Sequence, residues 1–334
     1  MKTPRVSILL PAFDAAPQLP TCLASLVRQS ETEWECVIVD DGSRDDTLAI
    51  ARDFERRDPR FRVLACAHRG IVSALNHGLA ECRAAWIARM DADDWMHRDR
   101  LACQIRAVSA QPALTAVGCH VRMFPRSDLS EGRRAYETWL NSIRTPDQVR
   151  AESFVECPVA HPSLFARREA LVALGWREQG WPEDYDLVLR MLERGEVGVV
   201  ARRLLAWRDT PTRLSRTAPA YAQERFTDCK AAFLAKGFLA AVDEYILWGY
   251  GGTGRALRRA LLAHAKQPSH IVELHPGRLG QRIHGACVIP PDALAGLSRQ
   301  PIVASVAGAE ARRRIRTTLD SLGLRETRDY VCAA

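Results

Sequence analysis

Five aspartates stand where runs of apolar residues give out. The stretch "WECVIVDDGS" closes on Asp40 and Asp41, and "AAWIARMDADDW" closes on Asp91, Asp93 and Asp94. Carboxylates this crowded repel one another unless positive charge lies among them. A hard dication such as Mg²⁺ or Mn²⁺ takes oxygen ligands, often one or two carboxylates together with substrate phosphates. Side chains of an extended chain alternate with period two, so the D-x-D spacing sets Asp91 and Asp93 on one side. The pattern reads as a cation site, with Asp93 as ligand and Asp91 reaching the metal or a ribose. A solvated acidic loop gives the same letters. Further along, "WPEDYD" offers Glu183 and Asp184 at a helix start, where a carboxylate either caps the helix or accepts a proton.

The elements around these residues follow from periodicity. "RVSILLPAF" is a buried-strand pattern, "QLPTCLASLVRQS" carries apolar residues at helical spacing, and "WECVIVD" is a second strand. "DDTLAIARDFERR", "FRVLACA", "GIVSALNHGLAECR" and "AAWIARM" continue the alternation as helix, strand, helix, strand. Strand–helix–strand order implies parallel neighbours with right-handed crossovers, hence a doubly wound α/β sheet that binds ligands beyond the carboxyl ends of its strands. All five aspartates fall at such ends. The segment "SEGRRAYETWLNSIRTPDQVRAES" reads as helical with little to bury, as a flap over a site would be. "HPSLFARREALVALGW", "WPEDYDLVLRMLERG" and "VGVVARRLLAWRD" add strand and helix, helix, and strand. The Pro/Ser/Thr-rich "TPTRLSRTAPAY" marks a boundary. Domains are accordingly expected over 1–215 and 243–334, with a helical linker over 216–242.

Length and composition fit this division: 334 residues with 47% apolar content suit two ordinary cores. The net charge of +7 comes almost wholly from arginine, since only Lys2, Lys230, Lys236 and Lys266 among the 47 basic residues are lysines. Arginine suits phosphate, although a skewed base composition yields the same bias. Ten cysteines lie scattered without a CxxC pair, against a zinc site or a disulfide framework and in favour of a reducing cytoplasm. No uncharged run is long enough to span a bilayer. The expected location is cytoplasmic, with at most peripheral association at the inner face of the membrane, and no nucleic-acid partner is expected.

The ordered set "VSILLPAFDAAPQL", "VIVDDGSRDDT", "RGIVSALNHGLAECRAAWIARMDADDW" and "WPEDYDLVLRM" resembles the family-2 glycosyltransferases of the GT-A fold, over about Pro4 to Ser215. The resemblance implies a nucleotide-sugar donor, commonly UDP-linked, an Mg²⁺ or Mn²⁺ ion, and an inverting single displacement onto a hydroxyl of a glycan or lipid-linked acceptor. It implies that Pro11, Ala12 and Phe13 edge the nucleotide pocket, that Asp41 with Asp40 binds the base, that Asp91 and Asp93 form the D-x-D, and that Asp184, beside Glu183, is the catalytic base. Arg69, Asn76, Arg89 and Arg208 are expected around the donor, and His161, Trp176 and Trp181 on the acceptor side. Asp40-Asp41-Gly-Ser also suits a plain turn. Many relatives carry Y-R-x-H near the end of the domain; here "WRDT" puts Thr210 at the histidine's place, which removes one protein ligand.

The remaining motif is "GYGGTG", which satisfies G-x-G-x-x-G at Gly249, Gly251 and Gly254 between a strand and a helix, with Glu273 at the next strand end where a ribose-binding acid belongs. It resembles the small Rossmann-like domains of sugar-modifying enzymes, which implies a second site for NAD(P) or another nucleotide. A docking module that keeps its glycines for packing is the alternative. For the whole chain, the alternative to a transferase is a non-catalytic nucleotide-binding regulator or scaffold.

Overall fold

In a computed structural model, which describes residues 3–211 and 213–334, the chain forms two compact units. The first comprises Met1–Val149, Pro158–Gln179 and Glu183–Arg213; the second comprises Arg150–Cys157, Gly180–Pro182 and Leu214–Ala334. The short stretches 150–157 and 180–182, read from sequence as part of the first domain, thus group with the second.

The first unit runs β1 (Val6–Ala12), α1 (Leu19–Val27), β2 (Trp34–Asp40), α2 (Thr47–Arg57), β3 (Phe61–Ala65), α3 (Ile71–Glu81), β4 (Trp86–Arg89), β5 (Trp95–Met96), α4 (Arg100–Ala110), β6 (Leu114–Phe124) and α5 (Glu131–Leu140). After α6 (Pro146–Glu152) come β7 (Phe165–Arg167), α7 (Arg168–Leu174), α8 (Glu183–Arg194) and β8 (Glu196–Arg208). The sheet has the order β3-β2-β1-β4-β7-β6-β8-β5. The strands β1 to β4 are parallel, β7 is antiparallel to β4 and β6, and β5 is antiparallel to β8. Every residue of β2 and nearly every residue of β1 is buried, as continuous apolar strands covered on both faces must be. The crossovers from β1 run outward to β2 and β3, and α3 then returns the chain to β4 on the other side of β1. That reversal places a crevice beyond Ala12 and Arg89.

Two features depart from the sequence reading. The helix α4 carries no strong apolar stripe and was not anticipated; its buried side includes Arg100 and Gln104. The expected flap is instead a packed element, because α5 buries Leu140 and sets Tyr136 and Trp139 against the main core. Just beyond it, the Asn141 amide clasps the backbone N–H and C=O of Val121, both at 2.9 Å.

Beneath the sheet's opposite end lies Glu35, almost fully buried. Its carboxylate accepts from Ser7 Oγ at 2.7 Å, Arg83 N at 2.8 Å and Arg83 Nε at 2.7 Å. Burial would push this group up, yet the bonds from Arg83 and Ser7 hold it below its ordinary 4.5.

The second unit contains α9 (Leu214–Thr217), α10 (Gln223–Lys236), β9 (Glu244–Trp248), α11 (Gly252–Leu262), β10 (Gln267–Val272), β11 (Arg282–Ile283), β12 (Ala286–Ile289), β13 (Ile302–Ala304), α12 (Ala309–Ser321) and β14 (Tyr330–Cys332). Its sheet order is β11-β12-β10-β9-β13-β14, parallel except at β11. The helix α10, read from sequence as a connector, contributes Ala231 and Leu234 to this unit's core. Gly249 has φ +96°, and a Cβ on Gly254 would lie 2.0 Å from the Gly249 carbonyl oxygen. These two glycines are required by backbone packing. Gly251, by contrast, has open space around it.

Two outcomes follow. Gly254→Ala should destabilise the chain by about 1–3 kcal/mol through overpacking, while Gly251→Ala should stay within about 0.5 kcal/mol of wild type, both read by chemical denaturation. A carboxyl depressed in the folded state contributes stability that is present above its unfolded pKa and lost as pH falls below it. Glu35→Gln should therefore lower the melting temperature at neutral pH and flatten its decline below about pH 4.5, as followed by thermal denaturation across pH.

Candidate active site

The loop after β4 carries the acidic residues into the crevice. One ligand oxygen from each of Asp91, Asp93 and Asp94 lies within 4.8 Å of the others. Backbone bonds fix this loop from both sides. Met90 N donates to Leu9 O at 3.0 Å, and Arg208, the last residue of β8, donates its backbone N–H to Asp94 Oδ1 at 2.7 Å and its Nε to Asp93 O at 2.8 Å. The same guanidinium rests over the Phe124 ring, 4.5 Å from its centroid.

Two further guanidiniums stand below the carboxylates. Arg89 is buried and forms an ion pair with Asp91. Arg100 is wholly buried; its Nη2 donates to Arg89 O at 2.9 Å and its Nε to Gln104 Oε1 at 3.0 Å. Burial pulls the Arg100 guanidinium's pKa down, while Asp94 and Asp91 counter that pull. Burial, with the Asp91 charge beside it, raises Asp93 to about 6. Asp94 is pushed well above the carboxylate range by burial and then by Asp93 and Asp91. Asp94 Oδ2 is buried and has no hydrogen-bond partner among the described residues. Clustered oxygens, and carboxyls that resist ionisation together, are donors that could hold a small hard dication.

The end of β2 behaves differently from the sequence expectation. Asp41 accepts from Arg69 N and Gly70 N, both at 2.9 Å, and pairs with His68 Nδ1 at 2.8 Å. It therefore holds the turn before α3, and of the roughly four lone-pair sites on a carboxylate one remains. Asp40 accepts from Ser43 N, while its buried Oδ1 has no hydrogen-bond partner among the described residues. His68 is stacked on Phe13 with centroids 4.2 Å apart, so the exposed Phe13 ring carries an aromatic partner that sequence reading missed. Pro11 and Ala12 close β1 beside it, and the Arg69 side chain is exposed.

Asn76, expected near the donor, instead joins α3 to the chain after α7. Its Nδ2 donates to Trp176 O at 2.9 Å and its Oδ1 accepts from Trp176 N at 3.0 Å. Trp176 is only 3% exposed and its Nε1 donates to His161 Nε2 at 2.9 Å. A ring so covered is a core residue, which corrects the expectation of a sugar-stacking face. His161 is kept well below its ordinary pKa by burial and by Arg89. It is a neutral imidazole whose Nδ1 lies 3.8 Å from Glu183 Oε1, beyond hydrogen-bond reach. Trp181 groups with the second unit.

Glu183 and Asp184 open α8, where acidic residues suit the positive end of the helix. Asp184 Oδ1 accepts from Tyr185 N at 2.7 Å. One turn in, the fully buried Asp186 accepts from Arg190 Nε at 2.6 Å and Arg177 Nη2 at 2.7 Å, and Arg190 donates onward to Leu174 O and Gly175 O. Sequence reading missed this network. The i,i+4 spacing of Asp186 and Arg190 was its only signal. Thr210 lies just past β8, and Arg213, four residues beyond Asp209, contributes positive charge at Asp93 and Asp94.

In the second unit the acid expected to bind a ribose is already engaged: Glu273 accepts from Arg278 Nη1 at 2.9 Å and from Leu274 N.

Known proteins share this fold. The fold of the chain is similar to that of S. aureus TarS residues 1–349, solved in complex with UDP-GlcNAc, with a TM-score of 0.57 and 14% identity over 78% of this chain and 72% of that one. Among curated relatives, the uncharacterized glycosyltransferase EpsJ of Bacillus subtilis is 34% identical over 35% of this chain and 33% of its own length. The O-antigen biosynthesis protein RfbC of Myxococcus xanthus is 31% identical over 58% of this chain and 15% of its own. The matched region thus spans a third or less of these relatives. The model of glycosyl transferase family 2 matches residues 7–175. That range takes in the end of β1, the Asp40–Asp41 pair and the whole acidic loop, and the chain belongs to glycosyltransferase family 2.

Proposed function

We propose that the first unit is a metal-dependent, inverting glycosyltransferase that moves a sugar from a nucleotide-diphosphate donor, most simply a UDP-sugar, to a hydroxyl of a glycan or lipid-linked acceptor. The observation that carries this reading is the set of three carboxylates converging at the switch-point crevice. The likeness to TarS, solved with UDP-GlcNAc and with UDP, supports the donor class. Relatives named chondroitin synthase and hyaluronan synthase support a polysaccharide acceptor. Among the described residues no helix is long and apolar enough to cross a membrane, and a lipid-linked acceptor would be met from the cytoplasmic surface.

In this reading the base lies against Phe13, with the N3–H of a uracil donated to the remaining lone pair of Asp41. Asp93 and Asp91 would hold the cation, which would supply positive charge to offset that developing on the departing diphosphate. Arg69 and Arg208 add fixed positive charge on the same side. Asp184 takes the proton of the acceptor hydroxyl as the anomeric carbon becomes oxocarbenium-like. Attack from the face opposite the leaving group inverts the configuration. Asp186, Arg190 and Arg177 set the angle of α8 and so the reach of Asp184.

Calorimetric titration with UDP, with and without Mn²⁺, tests the donor half: binding should require the metal and disappear in Asp93→Asn. UDP binding that ignores both the metal and the substitution refutes it. Asp184→Asn should keep that binding while sugar transfer, followed by UDP release, falls by about 10²-fold or more. Undiminished turnover in this variant removes Asp184 from the role of base.

A further inference from the structure

One atom of the acidic loop has no account in the chemistry above. Asp94 is 2% exposed, and its Oδ1 is engaged by Arg208 N–H. Its Oδ2 is equally shut away, with no hydrogen-bond partner among the described residues. A buried acceptor without a donor is expensive, more so when it belongs to a carboxylate. The nearby guanidiniums do not provide one, Arg213 included, whose charge acts on Asp94 without a hydrogen bond to Oδ2. Arg89 pairs with Asp91, Arg208 Nε is directed to Asp93 O, and Arg100 directs its nitrogens to Arg89 O, Leu164 O, Gln104 Oε1 and Met90 Sδ.

What does surround Asp94 is further carboxylate. Its ligand oxygen and those of Asp91 and Asp93 lie within 4.8 Å of one another. Around an octahedral ion with bonds of about 2.1 Å, adjacent oxygens stand about 3.0 Å apart and opposite ones about 4.2 Å. The three oxygens are therefore within a short closing movement of a shared ion. The Arg208 N–H bond fixes the rotation of the Asp94 carboxylate and leaves Oδ2 as its unengaged oxygen. Three anionic ligands on a dication would repel an incoming diphosphate, and the buried Arg89 and Arg100 below the loop offset that excess.

We propose that Asp94 is a third protein carboxylate on the divalent cation, in addition to the D-x-D pair. This assignment rests on the metal-dependent reading of the site given above. Asp94 is then a ligand whose charge matters, and its bond to Arg208 is what aims it.

The test uses Mn²⁺ itself as the probe, with free Mn²⁺ followed by electron paramagnetic resonance in titrations of the full chain, alone and with UDP. Asp94→Asn keeps the volume and the acceptor for Arg208 N–H but removes the charge. It should weaken Mn²⁺ binding by at least about tenfold, the lower end of what lost support around a metal costs, at an unchanged melting temperature. Asp94→Ser, smaller and still polar, should give the same loss and serves if the Asn variant does not fold. Wild-type Mn²⁺ affinity in a folded variant overturns the assignment and leaves Asp94 as a loop anchor only. Asp93→Asn is run alongside. If it loses Mn²⁺ while the Asp94 variants do not, the Asp94 assignment alone falls. If the wild-type chain binds no Mn²⁺ under either condition, the metal-dependent reading falls with it.

Discussion

Charge buried beneath the acidic loop is the constraint on which the first unit depends. Three carboxylates at one strand end cannot be tolerated by water alone, because at least Asp94 is cut off from it. The fold answers with two guanidiniums placed under them, Arg89 at the end of β4 and Arg100 at the start of α4. Arg100 is also a tie: by donating to Arg89 O and Leu164 O it fastens the β4 end to the turn before β7, and through Gln104 it reaches Ser163 O. An arginine in this position is costly to bury and is stabilised only while these acceptors and the field of the acids remain in place. The acids in turn are held in geometry by Arg208 from β8. The loop is thus clamped between two strands that are far apart in sequence.

A second buried ion network performs the corresponding task for the start of α8, where Asp184 lies. Asp186 lies on the inner side of α8 with Arg190 and Arg177, and Arg190 ends on the carbonyls that close α7. The N-terminus of α8 is therefore positioned by charge-assisted bonds as well as by its apolar stripe. His161, Trp176 and Asn76 form a chain of hydrogen bonds from α3 to the neighbourhood of Glu183. With a neutral imidazole at its centre, that chain transmits position and carries no charge.

The second unit shows how little a glycine pattern decides by itself. Its strand order, with β9 between β10 and β13, is that of a Rossmann-like sheet, and its glycines satisfy the fingerprint. Gly249 and Gly254 are accounted for by the approach of Ser305, Val306 and their own backbone. Glu273 is accounted for by Arg278. The packing role of the motif is explicit, which separates it from the acidic loop, where an unpartnered atom points to a ligand.

The sequence by itself determined the alternation of strands and helices, the doubly wound sheet and the placement of five aspartates at strand ends. These follow from local periodicity and from apolar runs such as "VSILLPA" that no other element accommodates. It also singled out Asp93, Asp91 and Asp184 as candidates, because type and spacing distinguish them. Only the tertiary structure decided what each polar residue spends its bonds on. Asn76 and Trp176 became a structural clasp, Asp41 a holder of the turn at Arg69 and Gly70, and the predicted flap a packed helix. The partners concerned lie dozens of residues away, and no spacing rule encodes them. Arg100 was invisible for the same reason: in "HRDRLACQ" it reads as a surface residue, and only the approach of the α4 start to Arg89 O and Leu164 O surrounds it with acceptors instead of water.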